Sequence, residues 1–254
     1  MGDAFQRVFL LLVLMGGVSL LEAWRPFRER GTRSAAPNLG LTLLFLAVNL
    51  AATALLAGAV AWLDRGQPGL LAQLQWPAWA AVAAGIVLLD FSAWAAHLLM
   101  HKVPWLWRFH RVHHSDVLVD VTTAFRQHPG ETVLRFTFTA APALLLGVPA
   151  EVVLLYRALS GISALIEHAN VRLPDALDRA LRAIIVSPLL HKVHHSRTAA
   201  ETDSNYGNIL SVFDRLLGTF TPASRATAVR YGLDGFDAPA QQRFGGLLRL
   251  PWRA

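Results

Sequence analysis

The 254-residue chain is 54% hydrophobic and 16% charged, with a mean hydropathy of +0.40 and a net charge of +6. Soluble domains carry about 25% charged residues, so this balance excludes a disordered chain, a collagen-like repeat and an ordinary soluble enzyme, and points to a polytopic membrane protein. The absence of cysteine excludes disulfide staples, thiolate metal sites, iron–sulfur clusters and cysteine nucleophiles within the chain.

A spanning helix needs about 20 apolar residues, and four or five segments compete for the bilayer. Residues 8–21 form a short apolar run. Its length suits a signal peptide, but Asp3 precedes it, no A-x-A site follows, and Arg25, Arg28, Arg30 and Arg33 come directly after, so a short or tilted first helix is expected. Residues 39–63 carry no charge, and residues 76–100 are apolar apart from Asp90 and His97. Residues 132–169 make two shorter runs broken at Gly147-Val148-Pro149, which predicts a helical hairpin.

The arginines after the first run place that loop in the cytoplasm by the positive-inside rule. The nearly neutral loop 64–75 then falls outside. Lys102, Arg108 and Arg111 return to the cytoplasm, as do Arg172, Arg179 and Arg182 if the hairpin crosses twice. The basic charge thus reads as membrane orientation, with no nucleic-acid partner expected. Leu177, Leu181, Ile184 and Ile185 recur at helical spacing, and residues 236–252 mix Phe244, Leu247, Leu248, Leu250 and Trp252 with arginines. Both stretches fit either an interfacial helix or packing on a cytoplasmic domain. The expected architecture is all-α: a polytopic membrane bundle of about four or five helices, including the hairpin, under a cytoplasmic helical cap. Its divisions are residues 1–75 (N-terminal membrane helices), 76–220 (a central region) and 221–254 (cytoplasmic or interfacial tail).

All ten histidines lie between His97 and His195. His97 and His101 are i and i+4 on one helical face. His110-x-x-His113-His114 and His191-x-x-His194-His195 repeat a second spacing, and His128 and His168 stand singly. A lone histidine is usually a hydrogen-bonded core or surface residue, but that reading does not extend to ten residues gathered this way. Ten imidazoles are enough for two metal ions. Imidazole-only ligation suits zinc, copper, iron or nickel rather than magnesium or calcium.

The ordered set HLLMH (97–101), HRVHH (110–114), HPGE (128–131), EHANVRLP (167–174), SPLLHKVHHS (187–196) and NYGNILSVFDRLLGT (205–219) resembles the fatty acid hydroxylase superfamily, which includes sterol desaturases and lipid hydroxylases. The resemblance covers roughly residues 76–220; a mild departure is Phe213, where relatives often carry Trp before the Asp. It implies a di-iron centre at the cytoplasmic membrane surface, with zinc as an alternative occupant after purification. All ten histidines, His97, His101, His110, His113, His114, His128, His168, His191, His194 and His195, are then expected ligands, the two isolated ones least firmly. It further implies O2 as co-substrate, a membrane lipid as substrate, and hydroxylation or desaturation of an unactivated C–H bond.

Metal-bound imidazoles donate their second N–H to an outer partner; Asp90, Glu131, Glu167, Asn205 and Asp214 are the candidates. Trp94 is expected at the cavity wall or as a membrane anchor. Without a cysteine cluster or a GxGxxG fingerprint, electrons must come from an external donor such as a ferredoxin or a cytochrome b5-like protein with its reductase. The composition suits a bacterial cytoplasmic membrane, or the ER for a eukaryotic source. The rival readings are a histidine-rich metal transporter or binding protein, a bis-histidine cytochrome and a structural zinc module. A transporter needs histidines spread along its spans, and neither of the others uses ten.

Overall fold

The computed structural model describes residues 2–29, 35–63 and 73–253. Arg30, Arg33 and residues 64–72, most of the loop expected outside, lie beyond the described residues. Those described form an all-helical fold without strands; two isolated bridges, Pro26 with Val171 and Ile185 with Leu210, are its only extended pairings.

α1 (Gly2–Trp24) runs past the apolar stretch that predicts it. Glu22, near its end, is buried, and its Oε1 accepts the backbone N–H of Val121 at 2.7 Å and of Asn170 at 2.8 Å. α2 (Ala36–Leu63) and α3 (Ala78–Lys102) match the two long apolar runs. By length and composition, Ala36–Leu56 and Ala78–Lys102 suffice to cross a bilayer. Large apolar side chains on these helices remain exposed, among them Phe9, Leu20, Leu43, Leu55 and Trp79, which suits a hydrocarbon surrounding.

α3 stops because Pro104 forces the preceding residue into extended backbone: Val103 sits at φ −100°, ψ 112°. Pro104 then serves as the first residue of α4 (Pro104–His114), where its missing N–H costs nothing. A single residue therefore turns the corner between two histidine-bearing helices.

The predicted hairpin is α5 (Pro129–Leu146) and α6 (Ala150–His168), broken at Gly147 to Pro149. Gly147 closes α5 in the left-handed region at φ +63°, and Pro149 leads into α6. Leu89, Ala93, Ala140, Ala143, Val152 and Tyr156 knit α3, α5 and α6 together. Gly85 lets α3 approach α6 closely, since a Cβ there would meet Val152 Cγ1 at 2.8 Å.

The remaining helices are short: α7 (Asp175–Leu181), α8 (Pro188–His194), α9 (Ala199–Thr202), α10 (Val212–Leu216) and α11 (Phe244–Arg249). The helical spacing that runs to Ile185 in sequence ends at Leu181, because Ile185 leaves the helix to pair with Leu210. Leu177 and Ile184 stay exposed. In the tail, Leu247 and Leu250 are fully buried against Leu41 and Val112, whereas Phe244 and Trp252 are exposed; the tail is packed on the helices with a greasy edge left open. Arg28, just after α1, is also held: its N–H donates to Asn170 Oδ1 at 3.0 Å and its guanidinium to Ala226 O at 2.8 Å.

Replacing Gly147 by alanine forces a Cβ into left-handed backbone, at a cost of about 1–2 kcal/mol. Gly147→Ala is expected to lower the melting temperature while leaving metal content unchanged, as checked by thermal melts alongside elemental analysis.

Candidate metal centre

Nine of the ten histidines converge in two groups, His97, His101, His110, His114 and His194 in one, and His113, His168, His191 and His195 in the other. Within each, the nearest ring nitrogens all lie within 4.8 Å of one another. The H-x-x-H-H spacing explains the partition. On a helix the i and i+4 side chains share a face, while i+3 projects to one side of it. His110 and His114 therefore enter the first group and His113 the second. On α8 the assignment is reversed: His191 and His195 enter the second group, and His194 crosses to the first.

The contacts suit a cation. Nε2 of His168 lies 2.9 Å from His191 Nε2 and 3.2 Å from His195 Nε2, which are 3.1 Å from each other; His113 Nε2 is 3.1 Å from His168 Nε2. Each ring nitrogen offers either one N–H or one lone pair. In any triangle of such atoms at least one edge sets like against like. Two nitrogens bound at about 2.1 Å to one ion sit ~3.0 Å apart at a right angle and ~3.4 Å apart at a tetrahedral angle, which covers the observed spacings. In the first group, His110 Nε2 lies 3.0 Å from His97 Nε2 and 3.1 Å from His114 Nε2. The buried Nε2 atoms of His101 and His194 have no partner among the described residues. These donor sets fit two metal ions.

Outer contacts set the tautomers. Every Nδ1 of the first group faces an acceptor: Tyr206 O for His97 (3.0 Å), Asp203 Oδ1 for His101 (3.3 Å), Glu131 Oε1 for His110 (2.7 Å), Thr202 Oγ1 for His114 (3.3 Å) and Ser204 O for His194 (2.7 Å). Thr202 donates its own O–H to His194 O at 2.7 Å, so its oxygen receives the His114 proton. With Nδ1 protonated, all five Nε2 lone pairs are left for metal. In the second group His168 Nδ1 donates to Ala164 O at 2.7 Å. Nδ1 of His113, His191 and His195 has no hydrogen-bond partner among the described residues.

The other expected residues divide. Glu131 is buried between His110 and Arg135, whose Nε donates to it at 2.9 Å. Glu167 is buried next to the second group, but its oxygens stand 3.9 Å from His168 Nδ1 and 4.0 Å from His191 Nδ1, beyond hydrogen-bond reach. Asp90 touches no histidine. Two turns of separation from His97 keep it on the same face but too far along the helix, and it instead accepts the N–H groups of Leu210 (2.9 Å) and Ile209 (3.1 Å).

Asp214 acts at one remove. It accepts Tyr206 N–H at 2.8 Å and Gly207 N–H at 2.9 Å, fixing the segment whose carbonyl takes His97 Nδ1. Trp94 donates to Asp214 at 3.0 Å. Asn205, at φ +53°, bonds the 219–221 segment rather than any histidine. His128 stands outside both groups: its Nδ1 accepts Gly130 N–H at 3.0 Å as the cap of α5, and its ring packs against Phe109 and Trp252. Thr202, Asp203 and the carbonyls of Ser204 and Tyr206 are partners that sequence reasoning misses, since three of the four contacts lack any charged side chain to mark them.

Burial comes first, and repulsion among imidazolium charges second, in holding His110, His113, His114, His191 and His195 well below the usual histidine range. Burial pushes His194 down to about 4 against the pull of its Ser204 bond. Lys192, buried and pushed down to about 7 by its desolvation, ties α8 to Val119 O and His168 O.

A cavity of about 560 Å³ reaches this centre, touching His113, His168 and His191 of the second group but only His97 of the first. Its walls include Leu14, Phe45, Leu46, Leu50 and Phe136 from the apolar helices.

The metal-free protein follows a pH dependence of known sign. Unfolded histidines titrate near 6.5, whereas the buried ones titrate lower, so the unfolded chain takes up protons first as pH falls. Stability is intact above about 6.5 and is lost below it, down to about 4 for His194. Thermal melts of metal-free protein are expected to fall steadily through that window; a flat profile contradicts the burial of neutral imidazoles.

Comparisons with known proteins agree with this geometry. The ornithine lipid hydroxylase OlsE of Rhizobium tropici is 37% identical over 161 residues, covering 63% of this chain and 48% of that protein. The alkylglycerol monooxygenase of Danio rerio is 32% identical over 57% of this chain and 31% of its own length. A cholesterol 25-hydroxylase-like protein of Danio rerio is 33% identical over 54% of each. The chain thus spans about half or less of the length of these curated relatives. No solved structure matches it. The fatty acid hydroxylase family profile matches residues 82–219, more than half the chain and all ten histidines, and the chain belongs to that family.

Proposed function

We propose that this chain is an integral-membrane, O2-dependent oxidoreductase that binds two iron ions and hydroxylates a membrane lipid. The observation that carries the reading is the apolar cavity running from the membrane helices to His113, His168 and His191. A lipid chain enters such a space without an aqueous pocket, and the named relatives are hydroxylases and monooxygenases. Desaturation is the related outcome the same centre can support. A transporter would need ligands strung along the spans, whereas these nine form one layer.

When bound, the iron ions supply the activation of O2 for attack on a C–H bond. The chain supplies placement. Nδ1 contacts hold the five imidazoles of the first group with Nε2 inward, Glu131 Oε1 holds the proton of His110 Nδ1, and Leu and Phe side chains keep water from the substrate. Zinc is the alternative occupant of the same nitrogens after purification.

The reading extends to topology. The ends of α1, α3 and α6 and the starts of α2 and α5 gather at the histidine layer, with Arg25, Arg28, Lys102 and Arg108 beside them. By the positive-inside rule this end is cytoplasmic, giving a multi-pass protein in which α5 and α6 form the returning hairpin. Residues 1–75 serve as N-terminal membrane helices, 76–220 as the catalytic region and 221–254 as a cytoplasmic tail. The basic face attracts an acidic electron donor of the ferredoxin or cytochrome b5 type. A bacterial cytoplasmic membrane is the proposed location.

Elemental analysis of the purified protein is expected to give two metal ions per chain. His113→Ala, which removes one of four nitrogens from the cavity-facing group, is expected to lower that content and to abolish lipid oxidation. Mass spectrometry of lipids from cells with and without the gene, grown under labelled O2, reads the product as a gain of one oxygen atom. Full activity in His113→Ala, or metal flux into sealed vesicles without a lipid product, overturns the proposal.

A further inference from the structure

Two arginines interrupt the apolar cavity, and they are not equivalent. Arg135 is paired, its Nε donating to Glu131 at 2.9 Å. Arg157, on α6, has no carboxylate within ion-pair reach among the described residues. Its guanidinium donates to Asn49 Oδ1 on α2, and its central carbon lies 5.5 Å from the centre of the Phe136 ring. Asn49 is itself oriented by donating from Nδ2 to Phe45 O at 3.1 Å, which leaves its oxygen for the arginine.

An ionised side chain in a membrane span is costly and needs either a counter-charge or a functional role. One amide oxygen and one aromatic face are a weak match for five N–H donors and a full positive charge. Arg157 lines the same cavity as His113, His168 and His191. It lies three helical turns before His168, about 16 Å along the axis of α6.

We propose that Arg157, assisted by Asn49, binds the acidic group of an amphiphile, a carboxylate or a phosphate, whose chain extends from there to the histidine layer. The proposal rests on the reading of this cavity as the substrate's. It narrows the substrate class to lipids with an acidic group about 16 Å along the helix axis from the second group of histidines. A bidentate guanidinium–oxyanion pair is the recognition chemistry that fits.

The test uses the full chain in nanodiscs of neutral lipid and measures equilibrium binding of three probes that share one chain: oleate, oleyl phosphate and uncharged oleyl alcohol. The unmodified protein is expected to bind at least one of the acids about tenfold or more tighter than the alcohol, the scale of a lost charge-assisted hydrogen bond. The favoured acid identifies the group. Arg157→Gln is expected to bind all three alike, at the affinity of the alcohol. Asn49→Asp places a carboxylate beside the guanidinium and is expected to remove the preference for the acids over the alcohol; because it supplies a counter-charge, it carries the test if Arg157→Gln does not fold. An alcohol bound as tightly as both acids, or a preference that survives either folded variant, overturns the proposal. Metal content is measured in parallel: an unmodified chain that binds no metal counts against the oxygenase reading and leaves the anion site to be judged on the binding data alone.

Discussion

The contact on which the rest of this molecule depends is repulsive. Three Nε2 atoms of His168, His191 and His195 lie mutually within 3.2 Å, an arrangement in which imidazoles alone leave at least one pair of like groups face to face. A cation at their centre would turn the like-facing lone pairs into ligands. Everything around them serves to hold that geometry until it is met: burial keeps the rings neutral, carbonyls and carboxylates fix the Nδ1 protons, and Lys192 and Glu22 bolt the chain segments that carry them. The turn at Val103 belongs to the same scheme. It sets α3 and α4 at an angle, so that His97 and His101 meet His110 and His114 at one point.

How much of this was legible in the sequence depends on whether a feature is local. Helix boundaries at Pro104, Pro129 and Gly147-Val148-Pro149 follow from backbone chemistry that needs no tertiary context. The i, i+4 pairing of His97 with His101 is equally local. What the spacing alone did not show is that His113 and His194 cross to opposite groups, because this depends on how α4 and α8 face each other.

The outer contacts were legible only where a charged side chain marks them. Glu131 was found; the carbonyls of Ser204 and Tyr206 carry no side-chain signal. Asp90 illustrates the converse. It sits on the right face of α3, but a shared face says nothing of axial distance, and the amides of Ile209 and Leu210 claim its carboxylate. His128 is a histidine with a local duty, capping α5, and it stands apart from both groups of histidines. In the tail, apolar residues alternating with arginines suit either packing or a lipid surface; Leu247 is packed inward, and Phe244 is exposed.

The crossing of His113 and His194 ties the two groups of histidines to each other. α4 gives two nitrogens to one group and one to the other, and α8 with His195 does the reverse. Neither helix can present its nitrogens to one group without presenting its remaining nitrogen to the other. The two groups are therefore linked through shared elements: any shift of α4 or α8 that adjusts one set of nitrogens moves the other set with it.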